Sequence, residues 1–316
     1  MIKTIFFDLD GTLYSHTQKR VPSSTLYAFE LLKKQGIKRV LCTGRHVREL
    51  EQLGFFELGL DFDGYILLNG QIILDKDLNY IDGTPIDKEE TKKIERVFNE
   101  KKVSLILETR EELFCNFYDD FCLEGLRSVN TDPFPIKEYH GEEIFQVSTY
   151  VKKETKEYLR KEFSGCFMTS WNEYGALFVN KQGGKSKGIE KYLKSVNETP
   201  KETMAFGDGD NDLDMLEYCG VGVGMGNGTK NVRRRTRLGM GTCQGNYCAI
   251  RSAAVANKLF KDKFEGCSDS LSDMKNFLQA RWKGITPVMA GKTLREAEMT
   301  RGMYELLFNV NGGRRG

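Results

Sequence analysis

The sequence predicts an α/β protein: a doubly wound parallel sheet carrying an inserted α+β domain and ending in a mainly helical C-terminal tail. Three observations lead there. Short β-branched and aromatic runs alternate with amphipathic helical patterns near the start of the chain and again after Val179. Between Thr84 and Phe178 that alternation gives way to a charged helix followed by paired strand patterns. Beyond Gly228 the composition turns to arginine, cysteine and helical periodicity. A chain of 316 residues, 40% hydrophobic and 29% charged, is long enough for two or three units with cores of their own. The expected division is a core of residues 1–83 and 179–228, an insert of residues 84–178 and a tail of residues 229–316.

Lys3 to Phe7 reads as a buried strand that runs into the polar turn Asp8-Leu9-Asp10-Gly11-Thr12. Ser23 or Ser24 is the expected cap of a helix whose apolar residues Leu26, Phe29 and Leu32 recur at helical spacing, with Gly36 as its stop. A strand at Lys38 to Cys42, a helix from about His46 and a strand at Tyr65 to Leu68 complete a βαβ series, which requires right-handed parallel crossovers. In the insert, Val103 to Leu107 and Leu113 to Asn116 read as a strand pair. The core then resumes with a helix from Ser186, a strand at Thr203 to Phe206, a helix after Asn211 and a strand at Gly220 to Gly224.

A formal charge of +2 gives no global reason to expect nucleic acid as a partner. The apolar run Ile5-Phe6-Phe7 is cut short by Asp8, and no later stretch is long and uncharged enough to span a bilayer, so no membrane association and a cytoplasmic location are expected. Most of the eight cysteines are dispersed and read as small buried hydrophobes. His16, His46 and His140 share no ligand spacing and read as ordinary.

In an open α/β sheet the ligand site lies beyond the carboxyl ends of the strands, so the residues that follow each core strand should converge. They are Asp8 and Asp10, Thr43-Gly44-Arg45, Lys185-Ser186-Lys187-Gly188, and Gly207-Asp208-Gly209-Asp210-Asn211-Asp212. So many acids in one place repel one another unless a cation lies between them, and all-oxygen ligands favour Mg²⁺ over zinc. Thr43 and a lysine supply a hydroxyl and a positive charge for phosphoryl oxygens. A carboxylate can attack phosphorus and split one displacement into two; Asp8 is the expected nucleophile. Asp10, two residues on, is the expected general acid and base, and Gly11 lets the turn approach the phosphate. Singly these motifs are also an ordinary turn, a loop and an acidic helix start. Their order, each behind a core strand, is what favours catalysis.

The four ordered motifs resemble those of haloacid dehalogenase-like hydrolases, and more narrowly of Cof-type sugar phosphatases, over residue 1 to about Gly228. The resemblance implies Mg²⁺-dependent hydrolysis of small phosphorylated metabolites through an aspartyl-phosphate intermediate. A phosphomutase of the same superfamily is the nearest alternative. It further implies a metal held by the side chains of Asp8 and Asp208 and the backbone carbonyl of Asp10, with Asp212 assisting from the outer shell. Thr43 and Gly44, Lys187 and Asn211 would hold the phosphoryl group. Lys187 is preferred to Lys185 because the family's lysine directly precedes a glycine, which leaves Lys185 as a solvated helix-start residue. The insert resembles the family's α/β cap, which selects substrate and excludes water. Within it Trp171, Asn172 and Tyr174 read as a structural aromatic turn that would otherwise face substrate.

The tail departs from the family. Residues Arg234 to Cys248 resemble half of a bacterioferritin-associated-ferredoxin-like [2Fe-2S] module, and the stretches around Arg281 and Leu294 resemble the end of anaerobic glycerol-3-phosphate dehydrogenase. Such a cluster takes four protein ligands, whereas only Cys243 and Cys248 stand at the module's spacing, so cluster binding is not expected. The change near Gly228 reads as a fusion of two reading frames, and a redox subunit with a passive phosphatase domain is the rival from another class.

Overall fold

The computed structural model describes residues 2–14, 20–129, 131–170 and 174–232. Cys243 and Cys248, the tail helices, His16, Trp171 and Asn172 lie outside them. Residues Met1–Val223 form one compact unit.

Each apolar run at the start of the chain becomes a strand. β1 (Thr4–Phe7) is buried throughout; α1 (Ser23–Lys34) follows and ends at Gly36, whose φ of +69° a side chain would oppose. The expected serine cap is absent: Pro22 occupies the N-cap position, and Ser23 is already helical. Next come β2 (Lys38–Cys42), α2 (Val47–Gln52) and β3 (Gly64–Leu67). The chain then does something the sequence reading missed, forming two further strands, β4 (Ile72–Asp75) and β5 (Tyr80–Gly83).

The inserted region begins with α3 (Lys88–Glu100), β6 (Ile106–Glu108), β7 (Leu113–Cys115) and α4 (Asp120–Ser128). It continues through β8 (Gln146–Tyr150), α5 (Lys153–Glu162), β9 (Cys166–Thr169) and β10 (Gly175–Asn180). The chain returns to the first sheet with α6 (Lys185–Ser195), β11 (Thr203–Gly207), α7 (Leu213–Tyr218) and β12 (Val221–Gly224).

The seven-stranded first sheet has the order β12-β11-β1-β2-β3-β4-β5. β1 pairs in parallel with both β2 and β11, and β2 with β3. The expectation of a wholly parallel sheet is corrected at one edge, where β4 and β5 run antiparallel to their neighbours. Their connections are too short for a crossover, so the chain can only turn back on itself. Three successive residues with positive φ, Leu68, Asn69 and Gly70, make the first of these reversals. The inserted strands form a separate five-stranded sheet, β7-β6-β8-β10-β9, whose neighbouring strands run antiparallel.

Each sheet has its own apolar cluster. Ile5, Phe7, Leu9, Phe29, Leu41 and Phe62 pack in the first; Ile94, Phe98, Leu107, Phe114, Val147 and Phe178 pack in the second. Burying one such side chain contributes about 1.5–3 kcal/mol before chain entropy is set against it. Phe145, just before β8, belongs to the first cluster although Ile144 and Val147 on either side of it belong to the second, which ties the two layers together. Cys42, Cys115, Cys122, Cys166 and Cys219 are buried thiols, as their dispersed spacing implies.

Candidate active site

The chain winds outward from β1 in one direction through β2 and β3, and in the other through β11 and β12. The switch point is therefore at β1 and β11, where adjoining loops part and leave a crevice. Asp8 immediately follows β1, and Asp208 immediately follows β11.

Carboxylate oxygens of Asp8, Asp208 and Asp212 lie within 4.8 Å of one another. Burial pushes the Asp8 carboxyl up to about 7; Lys185 opposes the shift and Asp212 adds to it. Burial, reinforced by Asp212, likewise pushes Asp208 up to about 6. Three converging acids, two of them with raised affinities for protons, offer hard oxygen donors that suit a divalent cation of the Mg²⁺ type.

Asp212 is held by the loop it closes. Its Oδ2 accepts from the backbone N–H groups of Asp208 and Gly209 at 2.9 and 2.8 Å. Thr12 donates to Asp208 at 3.3 Å. Gly11 faces the same carboxylate: its φ is +85°, and a Cβ there would lie 2.3 Å from Asp208 Oδ2. A side chain at this turn would occupy the space of the acid.

The expectation that Lys185 is a solvated helix-start residue is corrected. Lys187 is 58% exposed and pairs with Glu190 on the surface of α6. Lys185, with its side chain wholly buried, donates to Asp8 Oδ1 at 2.8 Å and to Asp212 Oδ1 at 2.6 Å. These two acids raise its pKa against the opposing effect of burial. Helical geometry explains the difference. Lys185, Gly188, Ile189, Tyr192 and Leu193 form the buried face of α6, whereas Lys187 is displaced from it by two residues. Gly188 is needed for a different reason: a Cβ there would come within 2.5 Å of Ile66 and 2.8 Å of the Gly70 backbone. The glycine marks close helix–strand packing, and the periodicity of the buried face is the signal that singles out Lys185.

Thr43 is buried at the end of β2, its hydroxyl accepting from the Arg45 N–H at 3.2 Å while its carbonyl accepts from the Asn69 N–H. Arg45 pairs with Asp10 through two hydrogen bonds, at 2.7 and 2.9 Å. Asn211 donates to Asn69 Oδ1 at 3.0 Å, and Asn69 in turn donates to Gln146 of β8 at 3.2 Å. Gln146 also reaches the Gly44 carbonyl at 3.4 Å. Sequence reasoning named neither Asn69 nor Gln146, because neither stands in a motif; a turn with consecutive positive φ values is visible only in three dimensions.

His46 caps α2, accepting from Arg48 N–H through Nδ1, so Nε2 carries the proton donated to the Thr109 carbonyl across the layers. Burial lowers its pKa to about 4, which keeps the ring neutral. Tyr174 is half exposed and packs edge-on against Phe121, 5.0 Å between ring centroids, as a structural aromatic pair would. Among the described residues no helix is long and apolar enough to cross a membrane.

The family profile described as haloacid dehalogenase-like hydrolase matches residues 5–241. The Bacillus subtilis protein named "Putative phosphatase YkrA" is 31% identical over 222 residues, which cover 69% of this chain and 84% of that one. The solved structure of the subclass IIB sugar phosphatase BT4131 superposes with a TM-score of 0.63 at 28% identity, covering 73% of this chain and 90% of the other. Seventy-five residues are 43% identical to a component of the Escherichia coli anaerobic glycerol-3-phosphate dehydrogenase, 24% of this chain and 13% of that protein. Acids gathered at the switch point of such a sheet are what a phosphoryl-transfer site requires, and with these matches the chain belongs to the haloacid dehalogenase-like hydrolases as a phosphoric monoester hydrolase.

Proposed function

We propose that the chain hydrolyses small phosphate monoesters, sugar phosphates foremost, with Asp8 as covalent nucleophile. The observation that carries this reading is the group Asp8, Asp208 and Asp212, with buried Lys185 bridging the first and last of them. Lys185 occupies Asp8 Oδ1, which leaves Oδ2 to attack phosphorus. The new bond is an acyl phosphate, and the ester oxygen leaves with its electron pair. Asp10, held ionised by the Arg45 fork at rest, leaves the fork and takes a proton from solvent, gives it to that oxygen, then takes one from the water that hydrolyses the aspartyl phosphate. Thr43, Lys185 and Asn211 surround the transferred group with donors.

Asp8 and Asp208 would hold Mg²⁺ together with the Asp10 carbonyl, while Asp212, whose oxygens accept from Lys185 and from the Asp208 and Gly209 N–H groups, would assist from the outer shell. When bound, the ion offsets the charge of an anionic ester beside an anionic nucleophile. The inserted sheet serves as a cap, since Gln146 and Thr109 already reach Gly44 and His46 of the core. Similarity to the sugar phosphatase BT4131 supports the substrate class.

Phosphate release from p-nitrophenyl phosphate and a panel of sugar phosphates, with and without Mg²⁺, tests the reading. Release should require Mg²⁺ and vanish in Asp8→Asn. Undiminished turnover by that variant would rule out covalent catalysis, and phosphate transferred back to the sugar would identify a mutase.

A further inference from the structure

Glu108 ends β6 on the face of the inserted sheet that lies against the core. It is 1% exposed, and its Oε1 accepts from Gln146 Nε2 at 3.0 Å and from the Ser148 hydroxyl. Its Oε2 is buried and has no hydrogen-bond partner. Gln146 is the residue that touches the Gly44 carbonyl and Asn69, so Glu108 is linked to the Thr43-Gly44-Arg45 loop by two hydrogen bonds through that one side chain. Arg45, Glu49 and Tyr150 complete the electrostatic surroundings: Glu49 acts on Glu108, and both acids act on Tyr150 alongside Arg45.

A carboxylate oxygen left unpaired in a protein interior is costly, and a part in the chemistry of a neighbouring site is one physical reason for a fold to keep it. We propose that Glu108, aligned by Gln146 and Ser148, hydrogen-bonds a hydroxyl on the leaving-group side of the substrate, so that the site selects monophosphates of neutral polyhydroxylated alcohols and rejects esters bearing a second anionic group there. This rests on the phosphatase reading above. Burial, with Glu49, pushes the Glu108 carboxyl up to about 8. A hydroxyl both donates and accepts, so it pairs with either protonation state; a second phosphate would be stripped of water beside two acids, neither of which can neutralise its charge.

The test compares wild type, Glu108→Leu and Glu108→Gln on four probes with Mg²⁺: the best hexose or pentose monophosphate of a panel, its deoxy analogues, p-nitrophenyl phosphate and fructose 1,6-bisphosphate. In Glu108→Leu, kcat/KM for the sugar phosphate should fall relative to the aryl phosphate by about tenfold or more, and Gln should restore most of it. One deoxy analogue should already lack the same factor in wild type and lose nothing further in the variant. Ser148→Ala, which releases one side of the carboxylate, reads the same ratio should the Leu variant fail to fold. Parallel loss on all probes, an unchanged ratio, or wild-type turnover of fructose 1,6-bisphosphate as fast as the best monophosphate would overturn the proposal. Absence of release from every ester by wild type would remove the phosphatase reading and this proposal with it.

Discussion

Arg45 grips Asp10 at both carboxylate oxygens, Nε to Oδ2 at 2.7 Å and Nη2 to Oδ1 at 2.9 Å. The fork holds Asp10, two residues beyond the proposed nucleophile Asp8, in its ionised form at rest, and Arg45 beside it would stabilise the carboxylate left once a proton has been given up. Arg45→Lys keeps the charge but loses the fork. We expect kcat for an alkyl phosphate to fall by roughly 10- to 100-fold, with a smaller loss on p-nitrophenyl phosphate, whose leaving group needs little help from an acid. Equal losses on both esters in steady-state assays would show that Arg45 acts elsewhere.

Lys185 and Lys187 provide a direct contrast. Removing Lys185 leaves Asp8 and Asp212 facing each other without their shared cation, so Lys185→Met should cost about 3–5 kcal/mol in urea unfolding without metal. Turnover should drop roughly 10³-fold or more. Lys187→Ala, at an exposed pair with Glu190, should stay within about 0.5 kcal/mol of wild type. Urea titrations and phosphate assays on the two variants check both halves.

The lysines also show what the sequence made legible. The strand-end motifs were readable because each follows an apolar run, and the structure gathers Asp8, Asp208 and Asp212 as that order implies. Lys187 was preferred because it precedes Gly188, but the glycine is required by Ile66 and the Gly70 backbone, and helical phase decides which lysine turns inward. The β4–β5 hairpin escapes a reading of the sequence because β5, Tyr80-Ile81-Asp82-Gly83, is four residues long with none of them buried, too short to show the apolar alternation that announces a strand. Asn69 and Glu108 were invisible for another reason: each matters through partners 142 and 40 residues away.

His46 predicts a pH response. Its folded pKa, about 4, lies below the ordinary 6.5, so the unfolded chain binds the extra proton first as pH falls. The stabilisation is complete above pH 6.5 and is lost toward pH 4, on the order of 3 kcal/mol in total. Protonated Nδ1 would also turn a donor toward the Arg48 N–H. The raised carboxyls of Asp8, Asp208 and Glu108 act in the opposite direction, so the measurement is a difference: urea melts of wild type and His46→Asn at pH 7.5 and 4.5. Wild type should lose more stability than the variant over that interval; equal changes would contradict a neutral, buried His46.

Gly11→Ala tests the close approach to Asp208. The added methyl would enter the carboxylate's place, and φ at +85° opposes the side chain as well. Mg²⁺ titration of the activity should give an apparent affinity about 10- to 100-fold weaker, the range seen when a ligand's support is disturbed. An unchanged titration would mean that Asp208 does not hold the ion.

The pairing of β1 with β11 has a bearing on how the protein is made. Thr4 finds its partner Thr203 only after the whole inserted sheet has been synthesised. At ~5–20 residues per second, β1 waits roughly ten to forty seconds for β11 to leave the ribosome. The inserted region, contiguous from α3 to β10, can condense during that interval. At that stage the nascent chain has every strand of the inserted sheet while β1 still lacks its neighbour on one side, and Asp8 is without Asp208, Asp212 and Lys185 until translation passes the last of them. The acidic centre is thus completed late, only after β11 and the loop that follows it have been made and can pair with the first acid to have been translated.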